Sequence, residues 1–407
     1  MKNKIVKNTS MLYLLNIAKM IFPLITLPYL TRVLSVQGYG MVAYIKAVMS
    51  YMQIIVDFGF LLSGTKDIVL AGNDRNLINK EVSEILFARI LLGLLAFIVL
   101  CCTIPFIQIV RDNIGYTFLS YTVIFASCFL MDFYFRGIEK MEVTAIMFIV
   151  MRGISTLMTF IFVKNDGDIM WIPVLDLIGS IAAVTFVWIE MKKTGVQIKL
   201  SRISSIIRKL RESAIYFFSN MATTAFSAFN TLLIGIFINA TDVAYWSICM
   251  QLIGAVQSLY TPITNGIYPQ MIRSKSWELL KKTIRLIMPV VVFGCIFTIL
   301  FSKQVILIVA GQKYLEAALI LRLLVPVLFF SFPAILYGWP ALGAINKQRE
   351  TTITTIVSAA FQTVAVLLLI MINYFNLFTI CIVRCVTELV LFSSRFFICI
   401  RYRNEFN

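Results

Sequence analysis

Residues 84–110 read EILFARILLGLLAFIVLCCTIPFIQIV and contain only two charged side chains, Glu84 and Arg89. An α-helix needs about 20 mostly apolar residues to cross the hydrocarbon of a bilayer, and this stretch exceeds that length. A membrane β-barrel would instead show short segments of alternating polarity. The stretch therefore predicts a transmembrane helix.

The rest of the 407-residue chain has the same character. It is 60% hydrophobic and 14% charged, whereas soluble domains carry roughly 25% charged residues. This composition excludes a soluble fold and predicts an all-α integral membrane protein of about twelve transmembrane helices. The predicted spans cover residues 11–34, 40–63, 84–110, 115–136, 143–163, 169–190, 213–238, 243–270, 284–301, 315–342, 352–373 and 376–400.

The net charge of +16 comes mainly from short loops between these spans, which is unlike the continuous basic patch of a nucleic-acid-binding protein. If both termini lie in the cytoplasm, 24 of the 36 Lys and Arg residues fall on the cytoplasmic side, 5 on the opposite side and 7 within spans. Cytoplasmic loops of membrane proteins carry such an excess. We therefore expect cytoplasmic termini and no nucleic-acid partner.

The longest connection, residues 192–212, has isoleucine and leucine at helical spacing opposite basic residues. This pattern predicts a basic amphipathic elbow on the cytoplasmic membrane surface. It separates an N-terminal six-helix bundle, residues 1–191, from a C-terminal one, residues 213–407. The segment GIEKMEVTAI (137–146) resembles GAINKQRETTI (343–353), so the halves form a predicted parallel repeat that suits alternating access around a central cavity.

Charged residues inside the spans are the candidate site. Each basic residue would cost about 2.5–3.5 kcal/mol if it faced lipid, so we expect it to face an interior or a water-filled cavity. Acids at similar depths could pair with some of them or could couple transport to an ion. The predicted basic site residues are Lys19, Lys46, Arg152, Arg322 and Arg384, and the ion-coupling candidates are Asp57, Asp132, Asp176 and Glu388.

The spacing of these charges separates three cases. Arg384 and Glu388 lie one helical turn apart, so an ion pair and a ligand-binding role both stay open. Lys19 and Lys46 have no acid at their own level on the same helix face, which favours contact with a ligand. Arg89 and Arg395 lie near the cytoplasmic ends of their helices, where a long basic side chain can extend to the interface.

More cations than anions at mid-depth predict an anionic substrate group, such as a pyrophosphate or a sugar acid, because uncompensated buried charge is costly. The chain has no histidine, which excludes His-dependent catalytic triads and His-ligated metals. The eight cysteines lie in apolar runs without a metal-ligand spacing. We therefore expect no metal, no cofactor and no enzymatic activity.

The N-terminal 60 residues resemble the polysaccharide transporter family, the Wzx-type O-antigen and repeat-unit flippases. The resemblance rests on the run PLITLPYLTRVL (23–34), on Gly38-Tyr39-Gly40, on Asp57-Phe58-Gly59-Phe60, and on the following Gly64-Thr65-Lys66. It is strong over the first 70 residues or so and weaker afterwards. It implies two six-helix bundles around a central cavity, as in the multidrug/oligosaccharidyl-lipid/polysaccharide exporter superfamily.

The resemblance also implies a bacterial inner-membrane protein that moves an undecaprenyl-pyrophosphate-linked oligosaccharide, of the O-antigen or capsule type, to the outer leaflet. Its implied partners are a coupling proton or sodium ion and other polysaccharide-assembly membrane proteins. Basic residues of the first two helices line the cavity in related flippases, and Lys19, Arg32 and Lys46 occupy comparable places. The alternatives are an ion-coupled drug or small-molecule antiporter of the same superfamily and a membrane polysaccharide polymerase.

Overall fold

The computed structural model describes the backbone of residues 2–407 and the side chains of residues 8, 10–217, 221 and 228–407. Every regular element in this part of the chain is helical, which confirms the all-α prediction. Nine of the described helices are long and apolar enough to cross a membrane. The chain divides into two compact units, Met1–Ile236 and Phe237–Asn407.

The first unit contains ten helices, of which five meet the length and hydropathy of a membrane span. Its hydrophobic core includes Phe60, Ile85, Phe133 and Val187, which come from four different helices and are almost fully buried. The helices are α1 Lys2–Val33, α2 Val36–Asp57, α3 Phe60–Ala71, α4 Arg75–Thr103, α5 Gln108–Asp112, α6 Ile114–Ser127, α7 Asp132–Gly137, α8 Met141–Phe162, α9 Trp171–Thr194 and α10 Ile203–Phe237.

A left-handed break interrupts the predicted span 40–63. Phe58 (φ 39°) and Gly59 (φ 77°) end α2 and start α3. Glycine adopts this backbone conformation without steric cost. A Cβ at Gly59 would also lie 2.6 Å from the Cβ of Tyr216 in α10. The glycine of the Asp-Phe-Gly-Phe motif is therefore required by the turn and by the close approach of another helix.

A second break divides the predicted span 115–136. Residues 128–131 leave the helix between α6 and α7, and Asp132 begins the short α7. Helix α7 packs against α3, where a Cβ on Gly64 would lie 2.8 Å from the ring of Phe133. Two of the motifs that carry the family resemblance therefore occur where this unit needs small residues.

The second unit contains six α-helices and one short π-helix, and four of the α-helices meet the criteria for a span. Its most buried large side chains include Trp246, Tyr314 and Phe332. The helices are α11 Ala240–Ser258, α12 Tyr260–Ser274, α13 Trp277–Val309, α14 Ala317–Leu336, the π-helix Tyr337–Leu342, α15 Gln348–Met371 and α16 Leu377–Arg401.

Three predicted spans lie outside the nine apolar helices, yet each coincides with a helix. Span 40–63 corresponds to α2, which carries Lys46 and ends at Asp57, so its polar content lowers the hydropathy. Span 213–238 corresponds to part of α10, and span 243–270 to α11 and α12. The count of twelve crossings stays a prediction, as do the boundaries at 191 and 212 and the central cavity.

In the second unit, Gly338 (ψ −116°) interrupts the helix between α14 and α15, and the turn after this break has the same geometry as the turn after α7 in the first unit. Glu139 (φ 58°) and Asn346 (φ 63°) both adopt the left-handed conformation. The next residues, Lys140 and Lys347, each donate a backbone hydrogen bond of 2.8 Å to a carbonyl five residues earlier. A new helix then begins in both cases. The sequence echo between residues 137–146 and 343–353 therefore reflects a shared local structure.

The elbow is attached to the first unit. The backbone N–H groups of Gln197 and Lys199 donate to the side chains of Asn79 and Ser83 in α4 at 2.9 Å. Residues 203–212 then continue directly into the long α10. This segment is therefore held by α4 through specific hydrogen bonds in addition to its amphipathic pattern.

Candidate functional site

A hydrogen-bonded network surrounds Asp57 at the end of α2. The Oδ1 atom of Asp57 accepts hydrogen bonds from Arg89 Nη2 at 2.9 Å and from Gln53 Nε2 at 2.8 Å. Gln53 also bonds to Ser127 in α6. The other terminal nitrogen of Arg89 donates to the Leu130 carbonyl at 2.6 Å, in the break between α6 and α7. One arginine therefore pairs with the acid and satisfies a carbonyl that the broken helix leaves free.

Lys19 of α1 lies near this network without an ion pair. Its ammonium interacts electrostatically with Arg136, Asp132 and Asp57, and lies 5.7 Å from the centre of the Phe148 ring. The side chain is exposed. No carboxylate of the described side chains forms a salt bridge with it. We call the charged residues of this region the Asp57 cluster. Its three cations are Lys19, Arg89 and Arg136, and its two anions are Asp57 and Asp132.

The second group of charges, the Asp176 cluster, consists of Lys46, Arg152 and Asp176. Arg152 Nη1 lies 3.2 Å from Asp176 Oδ1, and the hydroxyl of Ser155 donates to the same oxygen. Lys46 is exposed, and its largest charge interaction is repulsion from Arg152, followed by attraction to Asp176. No ion pair of Lys46 occurs among the described residues. This cluster therefore has two cations and one anion.

Arg32 lies apart from the other two basic residues of the first two helices. It is in the last turn of α1, where its Nη1 donates to the Pro28 carbonyl at 2.9 Å. Thirteen residues separate it from Lys19, which corresponds to about 20 Å along a helix. The structure therefore places Lys19 and Lys46 in two separate clusters and Arg32 at the far end of α1.

In the second unit, Arg322 borders a cavity of about 480 Å³. Its Nε lies 2.5 Å from the Ser302 hydroxyl, to which it donates. On the other side of the lining, the hydroxyl of Tyr245 donates to Glu316 at 3.0 Å. The cavity has as many acidic as basic side chains. They are Asp242, Lys303, Glu316 and Arg322.

The remaining predicted residues of this unit form an ion pair. Arg384 Nη1 lies 2.9 Å from Glu388 Oε2, and both side chains are largely buried. The structure thus contains the pairing that the spacing of these residues permits.

The expectation that Arg89 and Arg395 extend to the interface is wrong, since they are 4% and 8% exposed. Arg395 donates to the Ala334 carbonyl at 2.7 Å and to the Thr355 hydroxyl at 2.9 Å. Each guanidinium donates to a carbonyl beside a helix break, and charge-assisted hydrogen bonds of this kind are strong enough to hold an arginine in a buried position.

A buried lysine among acids, Lys209, was not among the residues predicted from the sequence. Lys209 is 3% exposed, and its ammonium lies 2.9 Å from Asp67 and in direct contact with Glu81. Burial alone would lower the pKa of Lys209, but hydrogen bonds to Glu81 and Asp67 outweigh it and raise the pKa above the ordinary value. The helical pattern placed Lys209 on a solvent face, and no sequence signal linked it to α3 and α4.

Comparison with known proteins agrees with the resemblance in the N-terminal segment. The family described as "Polysaccharide biosynthesis protein" matches residues 5–275. A proposed O-antigen transporter of Shigella dysenteriae is 28% identical over 274 residues, which cover 67% of this chain and 68% of that protein. A proposed O-antigen transporter of Escherichia coli K12 is 24% identical over 360 residues and 86% of each chain. These relatives are named as transporters and not as enzymes.

Two solved structures are similar to the whole chain. The lipid II flippase MurJ in an inward closed conformation has a TM-score of 0.71 and 9% identity, over 97% of this chain and 87% of that one. An inward-facing multidrug resistance transporter of the MATE family and the MOP superfamily has a TM-score of 0.65 and 14% identity, over 96% and 95%. At these identities the likeness concerns the fold, which is that of a multi-pass membrane transporter.

Proposed function

This chain belongs to the polysaccharide biosynthesis protein family, and on that premise we propose that it is a flippase for a lipid-linked oligosaccharide. The proposed substrate is an undecaprenyl-pyrophosphate-linked repeat unit of the O-antigen or capsule type. The proposed direction is from the cytoplasmic to the outer leaflet of the bacterial inner membrane. The names of the two relatives and the flippase fold of one structural neighbour support this assignment.

The observation that carries the proposal is the positive surplus of the first unit. The Asp57 cluster and the Asp176 cluster each contain one more cation than anion. In each cluster one acid, Asp57 or Asp176, is bonded to an arginine, whereas the lysine is exposed and has no ion pair among the described residues. A pyrophosphate could supply the missing negative charge, because charge-assisted hydrogen bonds to phosphate oxygens are strong.

Within this proposal, Lys19 and Lys46 contact the anionic group directly. An ammonium on a flexible stem can follow a moving phosphate, because it binds as a point charge without fixed geometry. Arg152 joins this contact from α8 while its pair with Asp176 holds it in place. We assign later contacts along the path to Arg32, at the far end of α1, and to Arg322 and Arg384 of the second unit.

The coupling mechanism is also part of the proposal. Asp57, Asp132, Asp176 and Glu388 are the candidate groups for proton or sodium binding in an alternating-access cycle. Both termini and the elbow are assigned to the cytoplasm by the distribution of basic residues. Other polysaccharide-assembly membrane proteins are the proposed partners.

Gene deletion tests the function. A strain without this protein and without a redundant flippase should lose surface polysaccharide and accumulate lipid-linked repeat units on the inner leaflet. Staining of surface glycan and extraction of the lipid-linked pool measure the two effects. A complementing plasmid with the wild-type gene serves as the control, and unchanged surface glycan in the deletion strain would refute the proposal.

The similarity to a multidrug resistance transporter makes an antiporter the second candidate. A drug antiporter for cationic compounds would need an acidic cavity, and the positive surplus of the first unit opposes this. Drug sensitivity of the same deletion strain distinguishes the two functions. Lost drug resistance with normal surface glycan would favour the antiporter.

A further inference from the structure

A basic cavity at the start of α13 is unrelated to the charges within the spans. It has a volume of about 860 Å³ and lies in the second unit. Three of its lining residues are cations and one is an acid, so the lining has a surplus of two positive charges. The lining residues are Trp277, Glu278, Lys281, Lys282, Arg285, Leu286 and Asn407.

The floor of this cavity is held in place by specific contacts. The backbone N–H of Trp277 donates to the Asn407 carbonyl at 3.0 Å, and the backbone N–H of Asn407 donates to the Lys275 carbonyl at 2.8 Å. The rings of Trp277 and Phe406 lie 5.3 Å apart. The indole nitrogen of Trp277 is buried and has no hydrogen-bond partner among the described residues. These contacts fix the position of Trp277 beside the three cations of the cavity.

The length of α13 places this cavity at the membrane surface. A kink at Phe301 interrupts the helix, and the segment from Trp277 to Leu300 corresponds to about 36 Å of helix, whereas the hydrocarbon of a bilayer is about 30 Å thick. One end of the helix must therefore extend into the headgroup region. The end that contains Trp277 and the three cations is the polar one.

An apolar stripe begins where the cavity ends. Leu286 lines the cavity and is also the first residue of the stripe, which continues along one face of α13. Its residues are between 62% and 71% exposed, and their spacing of three, four or seven keeps them on one face. The stripe residues are Leu286, Val290, Phe293 and Leu300.

We propose that this cavity binds the headgroup of an anionic phospholipid, whose acyl chains lie along the stripe on α13. The charge surplus matches a phosphodiester anion, and the continuous stripe matches a ligand with long apolar chains. Basic pockets at membrane surfaces recognise anionic headgroups in this way. A phospholipid would contact both the cations and the apolar stripe, whereas a soluble phosphate would contact the cations alone.

Native mass spectrometry can test the proposal on the full chain. The protein is reconstituted in nanodiscs of equal parts phosphatidylglycerol and phosphatidylcholine, transferred to neutral detergent, and weighed with its retained lipids. The variant K281Q/K282Q/R285Q should retain phosphatidylglycerol on the order of 100-fold more weakly, since each basic residue near an anionic surface contributes about fivefold.

The matched control is R111Q/K164Q/K313Q, which removes three exposed cations that lie outside both this cavity and the elbow. It should retain phosphatidylglycerol as the wild type does. Equal retention in the wild type and the cavity variant would overturn the proposal. An equal loss in both variants would also overturn it, because binding would then follow net charge and not the cavity.

Fluorescence quenching keeps the proposal testable if the cavity variant does not fold. Lipids with brominated acyl chains quench nearby tryptophans, and the difference between wild type and W277F isolates the signal of Trp277. Brominated phosphatidylglycerol should quench Trp277 more strongly than brominated phosphatidylcholine at the same fraction. Equal quenching by the two lipids would refute selective binding.

Discussion

The two units both contain charged residues within their helices, but they balance them differently. In the first unit, Lys19 and Lys46 each lie near an acid that is bonded to an arginine, Asp57 or Asp176, and each cluster contains one more cation than anion. In the second unit, Arg384 is paired with Glu388, and the cavity at Arg322 has equal numbers of acids and bases. Among the charges predicted to lie at mid-depth in the spans, an anionic ligand therefore has more to gain in the first unit.

The broken helices show a second difference. Arg89 and Arg395 each donate to a carbonyl next to a break, Leu130 in one unit and Ala334 in the other. Arg89 comes from α4, which precedes the break in the chain, whereas Arg395 comes from α16, which follows the break in the second unit. The break and its turn are thus repeated, but the arginine that stabilises the break is supplied by a different part of each unit.

The largest expected effect concerns Lys19 and Lys46, which have no ion pair among the described residues. The variant K19Q/K46Q should lose export, because each lost charge-assisted hydrogen bond is worth about 1.5–3 kcal/mol, or about 10-fold to 100-fold in rate. Surface polysaccharide and membrane abundance are measured together. K192Q/K193Q is the matched control, since it removes two exposed cations that belong to neither cluster. Normal export by K19Q/K46Q at normal abundance would eliminate the cationic recognition mechanism.

The next effect compares a buried and an exposed lysine outside the spans. K209M should lower the free energy of unfolding by about 2–3 kcal/mol, because it leaves Asp67 and Glu81 without their cation in a largely buried site. K347M should leave the melting temperature unchanged, since Lys347 and Glu405 form a more exposed pair. Melting curves in detergent measure both variants, and equal shifts would contradict this contrast.

The same clusters predict a pH dependence. The pKa values of Lys209 and Lys347 are both raised, chiefly through hydrogen bonds to acids, with burial opposing the shift at Lys209. A raised pKa in the folded state means that the stabilisation is complete below the unfolded pKa and is lost above the folded one. The Lys209 contribution should therefore be constant from pH 6 to 9, roughly, and decline only above about pH 10.5. A difference between wild type and K209M that already declines from pH 7 to 9 would contradict it.

A smaller effect separates the two arginines at the helix breaks. R89M should destabilise by about 1–3 kcal/mol, because the buried Leu130 carbonyl loses its donor, and R395M by about 0.5–1.5 kcal/mol, since the Ala334 carbonyl keeps the backbone N–H of Tyr337. Adding D57N should recover part of the loss in R89M, since it removes the acid that Arg89 had neutralised. Adding E388Q should not help R395M, because Glu388 keeps Arg384 as its partner. Membrane abundance and melting temperature measure these variants, and a D57N addition without benefit would contradict the assigned pairing.

The smallest effect tests the repeated turn. N346A should destabilise by about 1 kcal/mol, because alanine is disfavoured in the left-handed conformation that asparagine and glycine tolerate. N346G is the control and should be close to the wild type. Melting curves decide the matter, and equal stability of N346A and N346G would show that the turn does not impose this backbone conformation.

Part of the candidate site could be predicted from the sequence. The depth of Lys19 and Lys46 follows from their distance to the span ends, and Arg384 and Glu388 are close because they lie one turn apart. The pair of Arg152 with Asp176 and the pair of Arg89 with Asp57 join different helices. Their spacing along the chain contains no information about which helix faces which, so only the folded structure reveals these contacts.

The sequence by itself determined that this is a helical membrane protein, because hydropathy is a sum over about 20 adjacent residues and needs no knowledge of the fold. It also contains the similarity between residues 137–146 and 343–353, because the residues that form this turn are close together along the chain. The tertiary structure decided that Lys209 is buried among acids, that two helices are broken, and that Arg89 and Arg395 stabilise the breaks. These features depend on groups from separate helices that meet only after packing, where a free carbonyl or acid finds its partner.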